Sequence, residues 1–255
     1  MRKHRQLKYK VLQFIALIPT LAVMYAVLNY QAQLDPLLRV INNFGTFLHE
    51  AGHGLTAMIT GGNLFEVLIK NEGGGHAMTS GGIMFFILPA GYLSTTLVTA
   101  LMFWINNRSK WGEVIPLLMG LSFLFLTFFY GASVTGGIKT TIVGYACGIF
   151  LLYVGIHPTI RIPKTTWSIA LPDWLWMFCV NVLSMYYALG GVLSLRYIAL
   201  NSISGNGDDI TRFADTYVSW AHPPHVAWFF CGLSILIWIL VIFDCLRVFV
   251  KKEEK

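Results

Sequence analysis

The 255-residue chain is 56% hydrophobic and 12% charged, with a mean hydropathy of +0.63, well outside the range of soluble globular domains. A net charge of +6 would suit a nucleic-acid binder, but the basic residues gather at the two ends, MRKHRQLKYK and RVFVKKEEK. Such placement outside the apolar runs reads as anchoring to the cytoplasmic face of a lipid bilayer, with no nucleic-acid partner. The four cysteines, Cys147, Cys179, Cys231 and Cys245, lie in or beside hydrophobic segments without a C-x-x-C pair and read as buried thiols.

In chain order, residues 11–30 (VLQFIALIPTLAVMYAVLNY) form an apolar run of about 20 residues, long enough for a membrane span or signal anchor. A helix is then expected from Asp35-Pro36, a capping and first-turn pair, to Gly61-Gly62. It contains His49-Glu50-Ala51-Gly52-His53, the H-E-x-x-H pattern. Four residues of α-helix turn through about 400°, which leaves the two histidines about 40° apart on one face, the geometry of a chelate. Glu50 is the only formal charge between Arg39 and Glu66. An unpaired carboxylate in so apolar a stretch costs several kcal/mol or more, and a dication beside it compensates. A hydrogen-bonded polar network would use the same residue types, but the mid-helix spacing favours zinc. Gly45, Gly52 and Gly54 leave small patches where another element can approach closely.

Residues 64–80 change character. Phe65, Val67 and Ile69 alternate with Glu66, Leu68 and Lys70, and turn residues from Asn71 to Gly75 precede HAMTS, which predicts a β-hairpin. Apolar runs follow at about 83–105, 114–130, 138–156, 174–199 and 225–249. The expected fold is therefore an all-α polytopic membrane protein of about six to seven transmembrane or re-entrant helices, with a small β-hairpin after the metal-binding helix. A single membrane-embedded domain over residues 1–255 accounts for the chain. If the motif helix and hairpin enter and return on one side, six crossings remain. Both termini, Arg108 with Lys110, and Arg161 with Lys164 then face the cytoplasm. That predicts a multi-pass cell-membrane protein, in a bacterial inner membrane.

A catalytic zinc takes three protein ligands and leaves a position for water. The candidates for the third are His76, His157, Asp208, Asp209, Asp215, His222 and His225. The paired acids in GNGDDITRFADTY open a helix-like stretch, where carboxylates serve as caps as well as ligands. Asn181, mid-span, suits helix–helix hydrogen bonding, and Asn42 and Asn43 lie one to two turns before His49, where they would orient it or simply start the helix.

HEAGH after F-x-x-F-L, the Gly-rich hairpin, and LPAGYL at the start of the next span together resemble the site-2-protease family of intramembrane zinc metallopeptidases, in its short branch without a PDZ domain. In that branch an acid followed by a small or apolar residue and then L-A or F-A precedes the last span. Asp209-Ile-Thr-Arg-Phe-Ala is similar to this stretch, so the resemblance implies zinc held by His49, His53 and Asp209, with Asp208 and His76 as alternative ligands. It implies Glu50 as general base, and a hairpin, through Gly74, Gly75, His76 and Thr79, that holds an extended membrane protein or peptide substrate. Two other classes use the same residues: a silent zinc-binding membrane regulator, and a transporter with a metal or proton path.

Overall fold

The structure, a computed structural model, describes residues 35–69, 74–108, 114–130, 137–156, 173–201 and 207–253. The apolar run at 11–30 and the hairpin tip at 70–73 lie outside the described residues, as does His157. Among the described residues, seven helices and two strands follow in order: α1 (Asp35–Ile59), β1 (Asn63–Ile69), β2 (Gly75–Ser80), α2 (Met84–Arg108), α3 (Val114–Tyr130), α4 (Gly137–Ile156), α5 (Asp173–Asn201), α6 (Asp209–Tyr217) and α7 (Pro223–Glu253). The expected helical membrane fold with one small hairpin is what forms. Among the described residues, three helices are long and apolar enough to cross a bilayer, within Met84–Arg108, Met177–Asn201 and Pro223–Arg247. Their outer faces stay apolar, as Phe229, Leu240 and Phe243 on α7 show.

α1 is amphipathic rather than uniformly apolar. Asn42, Thr46, His49, Glu50 and His53 make a polar stripe at helical spacing along a cavity wall. The helix stops as the glycine pair predicts: Gly61 has a φ of 88°, and the amides of Gly62 and Gly61 donate to the carbonyls of Ala57 and Met58 at 2.8 and 3.2 Å. That is a Schellman motif, in which only glycine takes the left-handed position without strain. The Thr60 hydroxyl then accepts the amide of Ile83 at 3.0 Å and ties the end of α1 to the start of α2.

The two strands pair antiparallel, with Val67 opposite Ala77 and Leu68 opposite His76. The expected alternation breaks at one point. An irregularity between Leu64 and Glu66 inserts an extra residue, so Phe65 is 67% exposed while Val67 and Ile69 are buried. A single-residue bulge moves a side chain to the other face of the ladder.

α1 packs on α2 and on both strands; α2 packs in turn on α5 and α7, and α3 pairs with α4. One buried cluster, including Phe44, Phe103, Phe123, Val180 and Trp238, binds these helices together. A second, with Leu88, Leu195, Ile210, Phe213 and Phe230, seats α6 against its neighbours. At nine residues α6 is too short to persist alone, so burial of its apolar face holds it.

Candidate metal centre

His49 and His53 lie one turn apart on α1, and their Nε2 atoms are 3.1 Å apart. The Nδ1 of His53 lies 2.6 Å from the backbone carbonyl of Ile87. A carbonyl only accepts, so Nδ1 donates to it, and Nε2, facing Asp209, is the nitrogen that would take a cation in place of its proton. Ile87 belongs to α2, two residues before Pro89 inside that helix. A few residues on, Gly91 lies against both rings: a Cβ there would collide with the imidazoles of His49 and His53. Only a glycine lets α2 back onto the histidine pair this closely.

α6 supplies the third group. Asp209, its first residue, sets Oδ2 3.4 Å from His49 Nε2 and 3.1 Å from His53 Nε2. The three donor atoms lie within 4.8 Å of one another. Tetrahedral ligands at zinc bond lengths of about 2.0–2.1 Å stand about 3.3 Å apart, so the observed triangle fits two imidazole nitrogens and a carboxylate oxygen around that ion. Burial by itself would raise the Asp209 pKa, but hydrogen bonds and charge from His49 and His53 outweigh it and hold the carboxyl well below the usual range. A lowered pKa favours the anionic carboxylate that metal binding requires.

Glu50 is 7% exposed, and burial pushes its pKa up, with His49 and His53 offsetting part of the rise. It shares a cavity of about 1040 Å³ with the histidines and Asp209. Three carboxylates, Glu50, Asp208 and Asp209, line that cavity against one guanidinium, Arg212. A dication would bring these charges to neutrality.

The remaining sequence candidates divide clearly. Asp208 is the N-cap of α6: its Oδ1 accepts the Thr211 amide at 2.8 Å and its Oδ2 the Thr211 hydroxyl at 2.6 Å. It lines the cavity outside the donor triangle, and so does His76. Gly74, Gly75 and Thr79 line the same cavity. A Cβ on Gly75 would come 2.9 Å from Glu50 Cγ, so β2 runs directly beside that side chain. His222 and His225 stand at the start of α7 with ring centroids 6.0 Å apart, outside the triangle. Asn42 accepts the Tyr186 hydroxyl at 2.7 Å and links α1 to α5 along the cavity. Asn181 is engaged elsewhere, between helices.

Sequence reasoning assigned no role to Tyr92, Arg212, Gly190 or Gly191. The Tyr92 ring meets His49 edge-on, with centroids 4.6 Å apart. Its signal was present in LPAGYL, directly after the glycine that admits the histidines.

The family profile described as Peptidase M50B-like matches residues 15–246. The chain belongs to this family. Neither a curated protein nor a solved structure matches it significantly. M50B-like proteins are membrane peptidases of the site-2-protease type, in agreement with the resemblance carried by HEAGH and with three apolar helices that suit a bilayer. Within this M50B-like chain, the match runs from before α1 into α7 and so includes every residue of the donor triangle.

Proposed function

We propose that the protein is a zinc metalloendopeptidase that hydrolyses a peptide bond in or near the membrane-embedded segment of a protein substrate. The observation that carries this reading is the convergence of His49, His53 and Asp209 beside a buried Glu50 in one cavity. His49, His53 and Asp209 would hold the ion, with His53 oriented by the Ile87 carbonyl. Zinc in such a site supplies Lewis acidity, polarising a carbonyl and lowering the pKa of a water toward neutrality. Glu50 takes the proton from the attacking water and returns it to the leaving amine, so the bond is cut without net proton change.

A peptide bond inside an intact helix has its carbonyl engaged, so the substrate must be extended at the site. β2 pairs with β1 on one side only among the described residues, and its Gly75, His76 and Thr79 line the cavity. An extended segment adds there as a further strand, and Gly74 and Gly75 allow close backbone approach. The working location is the cell membrane, in a bacterial inner membrane, with cytoplasmic termini as the basic ends predict.

The test is the Glu50→Gln variant, purified in detergent beside the wild type. Cleavage of an unfolded apolar polypeptide falls by about 10²-fold or more, as expected for loss of a general base, while zinc stays at one per chain. Undiminished cleavage by Glu50→Gln, or a folded wild type that binds no zinc, would sink the proposal and favour a transporter or a silent polar network.

A further inference from the structure

α5 forms another wall of the cavity, and the residues it contributes follow one helical face: Tyr186, Gly190, Ser194 and Tyr197, with Gly191 alongside. Tyrosines stand at both ends of that face and glycines in its middle. A glycine inside a helix costs about 1 kcal/mol relative to alanine. At several other helical glycines among the described residues the loss is returned as packing. A Cβ at Gly52 would strike Ser94, and one at Gly120 would come 2.7 Å from the backbone nitrogen of Leu152. Gly190 and Gly191 give no such return: a Cβ at either would meet no atom within 4 Å. The notch opens into the cavity that holds Glu50 and the donor triangle, and no helix among the described residues fills it.

We infer that Gly190 and Gly191 form a side-chain subsite that takes one large apolar residue, aromatic or branched aliphatic, of the segment lying across His49, His53 and Asp209. This rests on the peptidase reading above. The chemistry of the wall favours such an occupant. Tyr186 and Tyr197 offer ring surfaces, Leu193 and Ile198 add aliphatic lining, and Ser194 is the single small polar side chain among them. A membrane segment is rich in the residues that fit.

Binding tests the subsite apart from catalysis. Two fluorescent, alanine-rich peptides, differing only in Phe or Ala at the centre, are titrated into the Glu50→Gln protein. The same titration is repeated with Gly190→Leu or Gly191→Leu added. Leucine is the better helix former, so these substitutions do not weaken α5 itself. The expected result is that the Phe peptide binds about tenfold or more tightly than the Ala peptide, as methylene-scale discrimination in apolar pockets allows. Either leucine should erase that preference, with zinc content unchanged. Equal affinity of the two peptides, or a preference that survives both leucines, overturns the subsite. Incubating the same peptides with wild type separates the two ideas. Selective binding without cleavage would refute the peptidase and keep the subsite, whereas cleavage without selectivity would do the reverse.

Discussion

Asp208 and Asp209 are adjacent, identical in chemistry, and placed to do different work. The N-cap position turns Asp208 back onto the Thr211 amide and hydroxyl. One residue later, the first helical position turns Asp209 toward the two histidines. The two alanine variants should therefore separate. Asp208→Ala loses a cap, about 1 kcal/mol of α6 stability, and keeps its zinc. Asp209→Ala removes a donor, and its zinc affinity should fall beyond the about 10–100-fold typical of outer partners. Titration against a competing chelator measures both; equal losses would mean that the two carboxylates share one role.

Between elements, the decisive distance is that from α1 to α2. Ser94 donates to the Leu48 carbonyl at 3.0 Å, and Gly52 and Gly91 remove the side chains that would hold the helices apart. Gly91 is the more demanding position, because the atoms in its way belong to His49 and His53. Gly91→Ala should leave helicity intact yet weaken zinc binding by about 10–100-fold, since the rings must rotate off their positions to admit a methyl group. Circular dichroism together with a zinc titration reads the two effects separately. Unaltered affinity would show that the rings can shift without cost. The hairpin works at the same scale. Its bulge at Phe65 turns that ring outward, while β2 continues beside Glu50.

At the scale of the whole molecule, polar groups among the spans act as fasteners away from the cavity. Asn181 Oδ1 accepts from Asn106 and Asn107, each at 2.8 Å, joining α5 to the end of α2. Asp244 on α7 accepts from Trp104 and Arg108, both at 2.9 Å, and fastens α7 to the same end. Asn181→Leu should therefore lower thermal stability in detergent by about 0.6–1.7 kcal/mol, the range for interhelical hydrogen bonds in membranes. Zinc content of the folded fraction should not change, and its loss would place this cluster within the metal site's support. In the three described spans the charged residues, Arg108, Arg196, Asp244 and Arg247, all lie toward the C-terminal ends, and none sits mid-span, which counts against an ion path through the bundle.

What was legible in the sequence was whatever depends on local periodicity. The i, i+4 spacing of His49 and His53, the Gly61-Gly62 stop, the hairpin and the apolar helices follow from 3.6-residue and two-residue repeats and from glycine's freedom at positive φ. The long-range choices were not legible. Which aspartate meets the histidines depends on the rotational phase of α6, and that phase is set when Ile210, Phe213 and Ala214 bury against the helices around them. The bulge at Phe65, the fit of Gly91 against two imidazoles, and the open notch at Gly190 and Gly191 likewise depend on where residues far apart in the chain are placed. No local pattern encodes them, because each is a property of how close two packed elements can come.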